Sequence, residues 1–438
     1  MNITKSFALQ EKAKTRIPGL SQLLSKRPDR FSYGVWPGYF SRAEGVQVWD
    51  MDGNNYIDMS IGGIGATVLG YQDPEVDSAV KEAIGRGIAS SLNCPEEVEL
   101  ADLLCDLHPW AEMVRFGRCG GEAMTMAVRI ARAATGRDKI AFCGYHGWHD
   151  WYLAANLGTK NALGEHLISG LDPAGVPRGL IGTAIPFSYN DSARLEEIVS
   201  AYGDELAAIV IEPIRSHNPD PGFLDRVRAL ADKCGAVLIL DEVSAGFRLN
   251  CGGAHLSLGL IPDISVFSKA LGNGYPIAAV IGKARFMEAA QKSFISSANW
   301  TERIGPTAAL ATIRKFRREK VHEHLIAIGK AMQSGWQTIA DKHGLVIKVG
   351  GIAPLSYFSF ELEDALEVKA YYVQLMLDQG FLASTIFYSM YAHTKNHVDA
   401  YIAAADMSFA VIARDNANGT LRGQLRGAPA TSGFKRLV

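Results

Sequence analysis

Apolar residues form short unbroken runs between about residues 112 and 282, with helically spaced segments between them. The runs are "EMVRFG" (112–117), "KIAFCG" (139–144), "AAIVIEPI" (207–214), "AVLILDEV" (236–243), "DISVFS" (263–268) and "IAAVIG" (277–282). Runs this apolar predict strands covered on both faces, as in a parallel sheet. "PEVDSAVKEAIGRG" and "PEEVELADLLCDLH" have helical spacing, and each opens on a proline, which a first helical turn accepts. The βαβ rhythm predicts an α/β fold with a mostly parallel central sheet flanked by helices. Ahead of it, "GVQVWDMDGNNYIDMS" (45–60) alternates apolar and polar around "DGNN" and predicts a hairpin. Residues 1–45 contain no clear long element. After about residue 320 the rhythm fades: "EVKAYYVQLMLDQG" and "HVDAYIAAADMSFAVIARDN" predict amphipathic helices, and "IKVGGIAPLSYFSFELE" predicts strands. A large α/β domain over 52–320 and a smaller α+β domain built from 1–51 plus 321–438 are expected. The tail "RGQLRGAPATSGFKRLV", basic and rich in small residues, is expected to be loose.

Composition narrows this picture without changing it. The chain has 438 residues, 48% hydrophobic and 21% charged, with a formal net charge of −2. A balance so near zero points to no polyanion, and hence no nucleic-acid partner. The six cysteines include no CxxC pair, which predicts reduced thiols and a cytoplasmic protein. The first residues, "MNITKSFALQEKAKTRIPGL", have no apolar signal core, and no apolar run approaches the roughly 18 residues of a membrane span.

In open α/β sheets ligands gather at the carboxyl ends of the strands, so the residues delivered there carry the chemical argument. After 112–117, Gly120 and Gly121 lead straight into a helix, where free N–H groups and the positive dipole end suit a phosphate. After 139–144 comes "YHGWHD", in which Tyr145 offers an aromatic face. Asp241 ends an otherwise apolar strand, where a carboxylate is costly without a partner. Lys269 follows 263–268, and a desolvated lysine there is a competent amine nucleophile. Singly, each has a plain structural explanation: a tight turn, an aromatic loop, an internal ion pair, a lysine whose stem is buried and whose head reaches water. Together they are the parts needed to hold pyridoxal 5'-phosphate (PLP): an amine for the aldehyde, a carboxylate for the pyridine nitrogen, an aromatic face for the ring and a helix end for the phosphate.

"LILDEVSAGFR", "DISVFSKALGNGYPIAAVIG" and "GGEAMTMAVRIAR" resemble the class III aminotransferases of PLP fold type I, in particular their glutamate-1-semialdehyde aminomutase branch. "GVQVWDMDGNNYIDMS", "YHGWHD", "GLDPAGVPRGLIGTAIPFSYND" and "AHTKNHVDAYIAAA" follow in the order that branch shows, so the resemblance runs from about residue 36 to about 412. It implies the fold type I architecture, with a smaller α+β lobe beside the main sheet. It also implies that Lys269 is the Schiff-base lysine and acid–base group, that Asp241 pairs with the pyridinium, that Val243 packs on the ring face opposite Tyr145, and that Gly120 and Gly121 bind phosphate through backbone N–H groups. "NWTERIGPTAALATI" matches the segment from which a threonine, here Thr301, reaches the phosphate held by the other subunit. A homodimer with active sites at the interface is therefore implied. Residues 151–182 match a loop that closes over the site.

The sequence departs from that branch at several places. The phosphate turn, usually Asn-Ser-Gly-Thr, reads Arg118-Cys119-Gly120-Gly121. A tryptophan is missing from "IGGIGATVLG". The branch's carboxylate-binding Ser and Arg have no clean match in "LSQLLSKRPDRF", where Arg27 and Arg30 are the nearest candidates. After "IEP" come Arg215, Ser216 and His217 in place of small residues. The departures lie where substrate is read. The expected reaction is transfer of an amino group between an amine donor and a carbonyl acceptor, with Arg215 and His217 as substrate residues and a sugar-like carbonyl as one acceptor class. Two alternatives are an aminomutase moving the amine within one molecule and a PLP-binding relative without turnover. His393 and His397, four apart, and the pair His146 and His149 lack a third ligand nearby, so no metal site is expected. "RKFRREK" (314–320) predicts a solvated helix face.

Overall fold

The structure is a computed structural model that describes residues 2–214, 216 and 218–433. Two compact units emerge: Pro74–Glu323, and Met1–Asp73 together with His324–Val438. In chain order the strands are β1 (Phe40–Glu44), β2 (Gln47–Asp50), β3 (Asn55–Met59), β4 (Met113–Gly117), β5 (Lys139–Cys143), β6 (Ala184–Pro186) and β7 (Leu206–Ile211). They continue with β8 (Val237–Asp241), β9 (Ile264–Phe267), β10 (Ala278–Gly282), β11 (Ile347–Gly350), β12 (Leu355–Phe360), β13 (Phe381–Ala383) and β14 (Ile386–Tyr388).

The larger unit is built on a seven-stranded sheet of order β4-β10-β9-β8-β7-β5-β6. β5 to β9 run parallel in it, and β10 is antiparallel to both of its neighbours. β7, β8, β9 and β10 are buried at every position. Successive side chains go to opposite faces, and both faces are covered. Val237 and Ile239 pack with Ala127, Val128 and Ala131 of the Gly120–Thr135 helix. Leu238 and Leu240 pack with Leu195, Ile198, Val227 and Leu230 of the helices Ser192–Tyr202 and Phe223–Cys234. This is why the strands read as unbroken apolar runs. The mostly parallel α/β architecture expected from the pattern is the one found. β6 was not anticipated; three residues are too short for a periodic signal.

The smaller unit holds two sheets, β1-β2-β3-β13 and β11-β12-β14. Its core gathers Trp336, Phe358, Tyr372, Phe387 and Phe409. The Trp336 indole N–H donates to Tyr401 Oη at 3.1 Å, and Tyr401 shares a 2.6 Å bond with Tyr372. The predicted hairpin is β2–β3. β3 also pairs in parallel with β13, over Ile57–Phe381 to Met59–Ala383. That pairing carries residues 52–73 into the smaller unit, so the division falls after Asp73 rather than at 51/52. Two further expectations are corrected. Residues 4–14 form a helix whose buried positions are Ser6, Gln10 and Ala13, a face without an apolar stripe to read. The tail is anchored rather than loose up to Gly433. Thr431 donates its N–H to Asp29 O (2.8 Å), Ala430 N–H bonds Leu366 O (3.3 Å), and Arg30 Nη1 donates to Gly433 O (3.1 Å).

Among the described residues no helix is long and apolar enough to cross a membrane. All six cysteines are free.

Candidate active site

β8 ends on Asp241, which lies opposite Val266 of β9, and Lys269 stands just past the end of β9. The strand register alone therefore brings carboxylate and lysine to the same edge of the sheet. Asp241 is 4% exposed. Its Oδ1 accepts the Val243 N–H (3.0 Å), and its Oδ2 lies 2.8 Å from His146 Nδ1. His146 is also buried, with Nε2 3.1 Å from Cys143 O. Both ring nitrogens thus lie within hydrogen-bond distance of an oxygen, which fixes the ring against the carboxylate. Lys269 donates from Nζ to Ser244 Oγ at 2.7 Å. Its backbone is left-handed, with φ of 48°.

At the end of β4 the chain turns into the Gly120–Thr135 helix. The first i−4 bond of that helix is Ala123 N–H to Cys119 O (3.0 Å), so the N–H groups of Gly120 and Gly121 stand ahead of it. A Cβ at Gly120 would come within 2.8 Å of Val243 Cγ1, so the turn and the β8 loop touch at van der Waals limits. One at Gly147, where φ is 99°, would lie 2.9 Å from Gly121 Cα, so the loop after β5 is pressed against the same turn. Tyr145 sits in that loop, its N–H bonded to Glu212 Oε2 at 3.0 Å. Thr301 lies on the Ala298–Thr301 turn, exposed, with its hydroxyl bonded to Ala298 O at 2.8 Å.

Gly120, Gly121, Tyr145, Asp241, Val243 and Lys269 thus share one end of the sheet. Arg215 and His217 lie outside the described residues. Arg27 of the smaller unit is committed to Asp29 through Nε (2.9 Å) and Nη2 (2.7 Å). His393 precedes the Lys395–Ala417 helix rather than sharing a face with His397, and its Nε2 lies 2.8 Å from Asp58 O. Among the described residues no cluster of three or more His, Cys, Asp or Glu is placed to hold a metal. In "RKFRREK", Lys315 and Arg318 pair with Glu75 of the same unit. Sequence reasoning missed His146 as the partner of Asp241, Ser244 as that of Lys269, and Glu212 as that of Tyr145. Adjacency to Tyr145 was the one signal for His146 and nearness to Asp241 that for Ser244; no local signal marked Glu212.

The sequence model of the family described as "Aminotransferase class-III" matches residues 32–403. The chain belongs to the class III aminotransferases. A 3-aminobutyryl-CoA aminotransferase of Cloacimonas acidaminovorans is 33% identical over 425 residues, covering 94% of this chain and 98% of that one. A 2'-deamino-2'-hydroxyneamine transaminase of Streptomyces kanamyceticus is 30% identical over 374 residues, covering 85% and 90%. The PLP internal aldimine form of the FumI protein of Sphingopyxis sp. MTA144 superposes with a TM-score of 0.85 at 27% identity, covering 98% and 99% of the two chains. The protein is accordingly a PLP-dependent aminotransferase of fold type I, acting on small amine and carbonyl substrates.

The residues present fit that cofactor. Besides the Gly120 and Gly121 N–H groups, the turn carries Arg118, whose Nε is buried without a hydrogen-bond partner. An unmatched cationic donor beside a helix N-terminus suits a phosphate. Asp241, buried and reached by a single imidazole, suits a ring nitrogen that must keep its proton.

Proposed function

We propose that Lys269 is the amine that anchors PLP, and that the chain moves amino groups to and from substrates whose reacting carbon is not that of an ordinary α-amino acid. The observation that supports the first part is that adjacent strands carry Asp241 and Lys269 to the same end of the sheet, with Lys269 held by Ser244 at 2.7 Å. PLP, when bound, supplies an aldehyde for amines and a pyridinium ring that withdraws electrons from the reacting carbon. Lys269 Nζ then carries the proton to and from that carbon, with Ser244 Oγ holding the amine in place between transfers. Asp241 keeps the ring nitrogen protonated, and His146 fixes the carboxylate. Tyr145 and Val243 flank the ring, and the Gly120 and Gly121 N–H groups take the phosphate.

Two relatives support the substrate reading: one is named for an amine on the third carbon of an acyl thioester, the other for an aminated sugar derivative. A cavity of about 270 Å³ adds to it. This cavity opens at the carboxyl ends of β5, β6 and β7, and Glu165, Ser188, Tyr189 and Glu212 are among its lining residues. Carboxylates and hydroxyls suit a substrate rich in hydroxyl or ammonium groups, a sugar-like amine among them. A homodimer, with Thr301 of one protomer reaching the phosphate held by the other, is part of the same reading, as is a cytoplasmic setting for six free thiols.

The test is to mix PLP-loaded protein with single amines: a β-aminoacyl thioester, an aminoglycoside, an α-amino acid and glutamate 1-semialdehyde. Conversion of the cofactor to its amine form by the first two, and not by the α-amino acid, is expected. Conversion of glutamate 1-semialdehyde without any added donor would replace this reading with the aminomutase one.

A further inference from the structure

The phosphate turn, which departs from the aminomutase branch it resembles, carries an arginine whose guanidinium reaches a second loop. Arg118 Nη2 donates to Trp300 O (2.9 Å) and Glu302 O (3.0 Å) and lies 2.9 Å from Glu302 Oε1, while Nη1 donates to Gly117 O (3.0 Å). The Arg118 N–H is held by Glu122 Oε2 at 2.7 Å. Glu302 in turn accepts the Ile304 N–H (2.6 Å) and the Gly305 N–H (3.0 Å), capping the Ile304–Arg318 helix. The side chain of Arg118 is 12% exposed and that of Glu302 21%, so the pair is largely shielded from water. Thr301 lies between the two carbonyls that Arg118 holds.

We infer that Arg118 is a positioning residue that locks the turn bearing Thr301 to the phosphate turn of its own subunit, so that the two halves of the phosphate grip are set by one guanidinium. This rests on the proposed function, in which Thr301 completes the phosphate site of the partner subunit. The guanidinium spreads five N–H donors over a rigid plane, so Nη2 can hold the Thr301 turn while Nη1 holds Gly117 O and Nε stays available; a lysine has three donors on one atom. The remaining Nε–H, buried and without a partner, is the donor that phosphate would satisfy. Cofactor arriving at one site therefore tightens the turn that presents Thr301 to the other.

The test is PLP affinity by equilibrium dialysis, with the melting temperature of the cofactor-free protein measured alongside. Arg118→Gln and Arg118→Lys are each expected to weaken PLP binding about tenfold, or 1.4 kcal/mol. Thr301→Ala should weaken it in the wild-type background and much less in the Arg118→Gln background, because the turn is then already free. If Arg118→Gln does not fold, Glu302→Gln, which removes the ion pair and keeps both carbonyl contacts, should give the same non-additivity. Additive effects, or an unchanged PLP affinity in the arginine variants, would overturn the inference while leaving the proposed function standing. A wild-type chain that takes up no PLP would overturn both.

Discussion

Lys269 holds a left-handed backbone, φ 48°, which side-chain-bearing residues adopt rarely and at some cost. The turn that imposes it places the amine beside Ser244 rather than in water. Lys269→Ala is expected to lower turnover by at least about 10²–10⁴-fold, the range for loss of a positioned proton carrier, as a stopped assay with the preferred amine would show. At Asp241 the test is finer. Asp241→Asn keeps the shape of the site but not its charge, so PLP should still bind while the transfer rate falls steeply. His146→Phe should give a smaller fall, since it removes one of the contacts orienting the carboxylate. Gly120→Ala forces a methyl group to within 2.8 Å of Val243 Cγ1. Overpacking of this kind costs about 1–3 kcal/mol, and both the melting temperature and PLP affinity should drop. The lysine, aspartate, tyrosine and glycines were legible because each ends an apolar run where chemistry is expected. Their partners were not: His146 meets Asp241, and Arg118 meets Trp300, across stretches of chain that no local pattern links.

At the scale of elements, the strand that delivers Lys269 is pinned at its other end by Asp263. This fully buried carboxylate accepts the Leu238 N–H (3.0 Å) and pairs with Arg228 (3.0 Å), Lys283 (2.8 Å) and Arg285 (3.3 Å). Burial alone would push its pKa up, but the Lys283 and Leu238 hydrogen bonds and the charges of Arg228 and Lys283 hold it below the usual carboxylate value. Its contribution to stability is therefore present above the unfolded-state pKa and lost as pH falls through the folded one. Asp263→Ala should destabilise the protein by about 2–3 kcal/mol, measured by denaturant unfolding at neutral pH, with the difference shrinking in acid. The long apolar strands were readable because both faces are covered. The helix over 4–14 was not, because its buried face is Ser6, Gln10 and Ala13. The tail was not, because it is held by hydrogen bonds to Asp29, Leu366 and Arg30, partners far away in the chain that no local pattern marks.

At the scale of the whole molecule, each unit buries a histidine whose pKa is pulled far down. His108, in the larger unit, is pulled down to about 4 by burial and by the charge of His255, against the Leu104 carbonyl that raises it. His393, in the smaller unit, is pulled down to about 4 by burial, against the Asp58 carbonyl, with His397 and His324 adding to the fall. On acidification from pH 6.5 the unfolded chain takes up protons that the folded chain refuses. Stability should therefore be fully present above pH 6.5 and decline toward pH 4. His108→Gln and His393→Gln should each flatten part of that decline in urea titrations at stepped pH.

The central claim is that Lys269 is the lysine that holds the cofactor. The most direct measurement is to load the purified protein with PLP, reduce it with borohydride and map the covalent pyridoxyl group by peptide mass spectrometry. The account predicts one modified residue, Lys269, and no label after prior bleaching of the cofactor by an amine donor. A label on another lysine, or none at all on protein that has taken up PLP, would contradict it.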